Sequence, residues 1–503
     1  MRILCSWGGR NGRPFFDASI GALFCLLLFV ASPAGAYTEV IDLFLDKGVD
    51  SLARGGLRQV LQRPEAADFQ KPFTLDTDGH YRLESGYEYQ RTVRVFDGRW
   101  KGSHVYSEKL GVTGAAPFSL MNEKIRGSVA AGYDYHWFEV AANNSQERIG
   151  LRSAENFEAT KAGIHVNTAD LLRIGMSVVN TDYRSAPEIP ISAELSVAKE
   201  LAVGYRRSFL DSAANFGVTL SGHSGIVPFR YREEINELYL TGTFRDIATI
   251  SYSNELQKPD NREILWRVDL PGNLYGAGSY ATRTLRFAQD FFVENKNGGY
   301  LAGTIDWRKY RFGMGAKLGT RWNLEANYQR LELDSNGGGI ATSSAVLDFW
   351  PALLVGNYNH TYLASLVTDQ YHLTTGYTGE QFSFNLGFQY LHMKTAANLD
   401  YWRSVLFGLG NTGAGRLTLD TDRIDMLFLS LGLGYQWSKV KLTYAIGQFI
   451  PLGTRNRTAA TETGGGNGGG GGGGGADIWQ GITDKINHNP GGNLQRILLT
   501  VTF

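Results

Sequence analysis

"LFLSLGLGYQW" (Leu427–Trp437) alternates with a period of two. Leu427, Leu429, Leu431, Leu433, Tyr435 and Trp437 share one parity, and Phe428, Ser430, Gly432, Gly434 and Gln436 share the other. Successive side chains of a strand point to opposite faces of its sheet, so this stretch reads as a strand with one apolar face. Upstream, "QFSFNLGFQY" sets Phe382, Phe384, Leu386, Phe388 and Tyr390 against Ser383, Asn385, Gly387 and Gln389. "KIRGSVAAGYDYHW" sets Ile125, Val129, Tyr133, Tyr135 and Trp137 against Arg126, Ser128, Asp134 and His136. In "HYRLESGYEYQ", Tyr81, Leu83, Tyr87 and Tyr89 oppose Arg82, Glu84, Glu88 and Gln90.

Very short connections join several of these strands. They fall at Gly379–Glu380, Ser438–Lys439, Arg245–Asp246, Lys199–Glu200 and near Ala169. Strand, tight turn, strand is the mark of an antiparallel hairpin. Other connections read as long and polar: Met393–Asp422, Asp334–Val367 and Leu452–Asn493. Short turns alternating with long loops place the two kinds at opposite ends of an up-and-down sheet.

The composition fits. Aromatics make up 12% of 503 residues, beside a mean hydropathy of only −0.22. Alternating strands produce that pairing; long apolar helices do not. The formal net charge is zero, so bulk electrostatics suggests neither nucleic acid nor an acidic partner. Residues 1–36 read as a cleaved signal peptide: Arg2, Arg10 and Arg13, an apolar core from Ile20 to Val30, and small residues at Ala34–Ala36. Both cysteines, Cys5 and Cys25, fall within it, so the exported chain is expected to hold no disulfide, cysteine metal site or covalent haem. Three Arg and one Asp leave with it, which brings the net charge to −2.

Residues 37–79 form a separate N-terminal segment. Val40, Leu43, Phe44, Val49, Leu52, Leu57, Val60 and Leu61 recur at helical spacing up to Pro64. Two roles are open to this short helix, a plug in a lumen or a periplasmic leader packed near the sheet, and the second is the plainer.

Alternation alone also describes a soluble sandwich. Here, however, the apolar faces are nearly unbroken and end in Tyr, Trp or Phe, while the opposite faces mix charge, amide and glycine. A bilayer requires every lipid-facing backbone group to be paired, which forces such a sheet to close. The combination resembles the outer-membrane β-barrels of bacteria, the porin-like proteins. It rests on the export signal, the aromatic girdles and the last strand, "RILLTVTF", whose Ile497, Leu499, Val501 and Phe503 alternate up to a terminal Phe.

The resemblance implies that these four residues are the barrel-assembly signal. It also implies outer-membrane lipid and the barrel-assembly machinery as partners. The expected fold is therefore all-β: a closed antiparallel up-and-down transmembrane β-barrel over residues 80–503, with a Gly-rich loop at 452–493. At about 24–26 residues per strand and connection it holds 16 or 18 strands, since such barrels favour even counts. "FGMGAKLGTRWNLEANYQ" is one strand or two around Gly319.

Catalytic patterns are missing from the sequence. "GHSG" (Gly222–Gly225) has Ile226 where a nucleophile elbow needs glycine. The nine histidines show no metal-binding spacing, and the tract Gly464–Gly475 reads as a flexible loop rather than a calcium repeat. Hence no catalytic residue, metal or cofactor is expected, and the protein is not read as an enzyme. Strand parity nominates pore-lining residues: Arg82, Glu84, Glu88, Arg126, Asp134, His136, Lys161, Arg173, Glu325, Asn385 and Asp425. Their mixed charge suits an outer-membrane channel for small polar solutes or ions. The alternative is a barrel sheath or export conduit serving a periplasmic partner, such as an electron-transfer cytochrome or a polysaccharide. A barrel enzyme is the third and least supported reading.

Overall fold

The computed structural model describes Leu52 and residues 66–93, 101–144, 149–169, 171–220, 223–245, 247–293, 296–342, 357–405, 410–456 and 492–503. The expected signal peptide, most of the 37–63 helix and the Gly464–Gly475 tract lie outside these residues. The strands in chain order are β1 (Arg82–Val93), β2 (Lys101–Leu120), β3 (Ile125–Asn144), β4 (Ile149–Thr168), β5 (Leu172–Thr181) and β6 (Ile191–Ala198). Then come β7 (Leu201–Leu220), β8 (His223–Phe244), β9 (Ala248–Glu255), β10 (Arg262–Leu270), β11 (Leu274–Val293) and β12 (Lys296–Leu318). The last six are β13 (Trp322–Thr342), β14 (Asn357–Thr378), β15 (Phe382–Val405), β16 (Gly410–Trp437), β17 (Val440–Asn456) and β18 (Gly492–Thr502). A single 3-10 turn, Pro72–Leu75, precedes them.

Each strand pairs antiparallel with its neighbours in sequence, and β1 pairs with both β2 and β18, so the 18-stranded sheet is a closed ring. Closure leaves no sheet edge exposed. At one end the hairpins turn tightly, on residues held at positive φ: Ala169 (50°), Arg245 (48°) and Ser438 (45°). Gly319 at φ 65° makes one such turn, and so resolves the ambiguous stretch around it into β12 and β13.

Two of the expected long loops are mostly strand. β15 and β16 take all the described residues of Met393–Asp422, and β13 and β14 take both ends of Asp334–Val367. These extensions carry polar residues on both faces, so the alternation that marks the rest of each strand is absent from them.

Strand lengths are uneven. β5, β6, β9 and β10 have 8–10 residues, whereas β11 to β16 have 20–28. Beyond each short hairpin the flanking long strands rejoin. Ile149–Arg152 of β4 pairs with Gly217–Leu220 of β7, and Phe292–Val293 of β11 with Gly225–Ile226 of β8. The wall thus sheds two strands at each place away from the tight-turn end. Since barrel diameter grows with strand number, it narrows there.

Candidate functional site: the barrel interior

The outward face is apolar. Val129, Ile174, Met176, Leu240, Ile250, Phe312, Met314, Leu324, Leu373, Leu386 and Leu433 are all large apolar side chains left exposed on it. Near the tight turns this face ends in Phe244, Trp322, Phe382, Trp437 and Phe503. At its other edge it ends in tyrosines whose hydroxyls donate to polar partners: Tyr205 to Asn236 (2.5 Å), Tyr328 to Asp369 (2.6 Å) and Tyr390 to Asp425 (2.6 Å). From Phe382 to Tyr390, at about 3.4 Å per residue and a tilt near 40°, the strand rises roughly 21 Å, close to the ~25 Å apolar band of such barrels. Soluble monomers rarely leave a contiguous apolar surface of more than a few hundred Å² to water, and a girdle around a whole barrel is lipid-facing. The chain is a transmembrane β-barrel.

The inward face carries charge, and its charges meet opposite charges within and across the strands. Arg82 pairs with Glu84, and Glu84 also accepts the backbone N–H of Ala67 at 2.9 Å. Glu88 accepts from Arg496 Nε at 2.6 Å where the first and last strands join. Asp134 pairs with Lys161, and His136 Nε2 lies 2.9 Å from Ser107 Oγ. Arg173 reaches Glu194 at 3.5 Å, and the Tyr239 hydroxyl donates to the same carboxylate at 3.0 Å. Arg206 Nε donates to Glu237 at 2.8 Å, and Arg283 takes the other oxygen of Glu237 at 3.1 Å.

An amide row follows. Arg311 donates to Gln329 (2.8 Å), while Gln329 (3.2 Å) and Gln389 (2.6 Å) both donate to the Gln370 carbonyl oxygen. Glu325 is buried on this inward face, and Asn385 sits with Asn323 over Gly376. Arg126 stands at the tight-turn mouth, exposed and 3.0 Å from Glu123.

Asp425 departs from its expected place. It shares parity with Leu427, Leu429 and Leu433, and so stands on the outward face, just beyond the apolar band. There it accepts from Tyr390 and lies 2.9 Å from His392 Nδ1. The alternation quoted for β16 carries this assignment already when extended back by two residues.

The interior also holds chain that belongs to no strand. Leu52, helical and fully buried, packs on Leu391, Phe428, Ala445, Leu494 and Leu498, inner-face residues of β15 to β18. Further round the wall, residues 66–77 lie against β3, β4 and β5. Phe69 and Leu75 pack with Ala130 and Val179, a burial that contributes about 1.5–3 kcal/mol per large apolar side chain. Ser128 and Ser177 donate their hydroxyls to the backbone oxygens of Leu75 (2.6 Å) and Phe69.

Glycines make room for this segment. A Cβ at Gly175 would stand 2.7 Å from the Pro72 side chain and 3.0 Å from its backbone, and one at Gly163 would stand 2.5 Å from Leu75. Lys161 lies 5.7 Å over the Phe69 ring and Arg173 4.8 Å over Phe73, an attraction between cation and ring face.

The β5–β6 connection, residues 182–190, also reaches inward. Tyr183 sits edge-on to Phe157 at 5.0 Å, and burial raises its phenol above the usual value. Glu188 is buried, ion-paired with Arg184, and accepts from Gln70 Nε2 at 2.7 Å. Sequence reasoning passed over Gln70, Glu188 and Ser177, and placed Ser128 on the polar face of its strand without nominating it. The one signal for them was a run of small residues, Gly163, Gly175 and Ser177, at inward positions whose neighbours carry charge.

No family model matches the sequence, and no curated protein matches it. Solved barrels match the fold at low identity. The Acinetobacter baumannii protein OccAB2 is 9% identical, with 84% of this chain and 97% of that one covered and a TM-score of 0.32. A Pseudomonas aeruginosa FadL homologue is 10% identical, covers 91% and 98%, and scores 0.35. OmpT, an outer membrane protein of Vibrio cholerae, is 10% identical, covers 84% and 96%, and scores 0.31. Scores of this size add nothing to what the barrel's own geometry shows.

Proposed function

We propose that the chain is an outer-membrane channel through which small polar solutes or ions pass down their gradients. One observation carries the reading. The same wall is apolar on its outer face and lined with paired charges and amides on its inner face, so water is welcome only inside. A barrel of 16–18 strands is too wide for wall side chains alone to fill, and it leaves an aqueous bore. Near the tight-turn mouth, Asp76, His80, Arg82, Lys441, Thr443 and Thr500 line a cleft of about 350 Å³.

Because carboxylates and guanidinium groups neutralise each other around the lumen, the described residues form no ring of one sign to filter ions. Selectivity between anions and cations is therefore weak. A sheath for a threaded partner fits less well, since Leu52 packs inside the wall that such a partner would pass. The test is reconstitution of purified protein into planar bilayers. The channel reading expects discrete conductance steps and a reversal potential near zero in a salt gradient; folded protein that never conducts is the result against it.

A further inference from the structure

We propose that residues 66–77 are a detachable gate, seated on the inner faces of β3 to β7 and locked there by Gln70. The inference rests on the channel reading for its consequence, but its geometry is independent of that reading.

The segment is ordered largely by itself. Thr74 N–H donates to the Lys71 carbonyl at 2.8 Å and Lys71 N–H to the Asp68 carbonyl at 2.9 Å. Asp68 Oδ1 accepts from Gln70 N–H at 2.9 Å, and the Thr74 hydroxyl oxygen accepts from Asp68 N–H at 2.7 Å. These bonds close its turns without help from the wall.

Side chains join it to the wall. Ser128 and Ser177 reach its carbonyls, and the Glu84 carboxylate reaches the Ala67 N–H. Each bond is to a group that water can also satisfy, and none is part of the strand ladder that holds the barrel closed.

Gln70 is where the segment meets two further elements at once. Its Nε2 donates to Glu188, on the inward connection between β5 and β6, and its Oε1 accepts the Phe209 N–H of β7 at 3.2 Å. Both ends of one amide are used, so a carboxylate cannot replace it without loss. Seated, the gate and the Tyr183–Glu188 connection block the same side of the bore. Unseated, the gate leaves it, while Glu188 stays bridged to Val179 of β5.

The experiment uses the full chain in liposomes, with Ser177→Cys as reporter. Ser177 is buried beneath the Phe69 carbonyl, so a membrane-impermeant maleimide reaches position 177 only when the segment lifts. The chain without the introduced cysteine is the blank. Gln70→Glu sets two carboxylates against each other and removes the donor to Glu188. It is expected to speed labelling about tenfold or more, the effect of losing a hydrogen bond to a charged group.

The swapped pair, Gln70→Glu with Glu188→Gln, restores a donor and an acceptor in reversed order and returns labelling toward the parent rate. Gly175→Val, which crowds Pro72 from the wall side, speeds labelling without touching Gln70. Heat-modifiable migration confirms that each variant is folded. Equal labelling in the parent, Gln70→Glu and Gly175→Val overturns the gate. Faster labelling in the variants without any conductance upholds the gate and removes the channel reading instead.

Discussion

Glu88 and Arg496 meet at 2.6 Å on the seam between β1 and β18, both largely hidden from solvent. Replacing Arg496 by Met leaves the carboxylate without that donor and is expected to cost about 1.5–3 kcal/mol. The double variant Glu88→Gln with Arg496→Met recovers part of the loss, because the stranded charge is gone. Denaturant unfolding in lipid vesicles reads both, and additive single effects would show that the pair is not coupled.

On the opposite face, Leu373 is half exposed toward the lipid. Leu373→Arg is expected to destabilise the barrel by about 2–4 kcal/mol, the cost of a cation near the bilayer midplane. A cost near zero would mean that this face does not meet lipid. At this scale strand parity was legible wherever one face is apolar. Tyr133 and Asp134, or Phe384 and Asn385, separate without any structure. Asp425 was misplaced because its acidic side chain was given more weight than its parity with Leu427, and polar residues return to the outward face once the lipid band ends. Gln70 and Glu188 were beyond reach, since a contact between residues 118 positions apart has no local signature.

Among the elements, β18 closes the ring. Its Leu499 stands opposite Ser85 on β1 and Leu442 on β17. Leu499→Pro removes a ladder N–H inside a strand paired on both sides and is expected to abolish the heat-modifiable form. Phe503→Asp, which leaves the ladder intact, is expected to lower the yield of assembled barrel without altering the stability of what assembles. Unchanged yield would deprive Phe503 of a role in assembly.

The hairpins at the tight-turn end were readable because their turn residues interrupt strong alternation. The far halves of β13 to β16 were not. Water lies on both sides of a strand that stands beyond the bilayer, both faces are then polar, and the period of two that marks a strand disappears. The seat for residues 66–77 was hidden for a different reason. A Gly or Ser on an inner face looks like a weak strand position until the segment that fills the space is placed beside it.

At the scale of the whole molecule, the described turns at Ala169, Arg245, Gly319 and Ser438 lie at one end, with Tyr81 at the start of the barrel and Phe503 beside it, since Phe503 N–H donates to the Tyr81 carbonyl at 3.0 Å. The connection between β17 and β18 leaves from the other end. An epitope placed within Gly464–Gly475 is therefore expected to be reachable on intact cells, while one in the 319–321 turn is reachable only after lysis. The reverse pattern would invert the barrel in its membrane.

The central claim is that an apolar exterior and a charge-paired interior enclose a path for water and ions. The most direct measurement is single-channel recording of purified, heat-modifiable protein in a planar bilayer, beside the Gln70→Glu variant. Discrete conductance with only a slight preference between anion and cation, larger or more often open in the variant, is the expected result. Folded protein that stays silent in both forms, across both polarities of applied voltage, would contradict it.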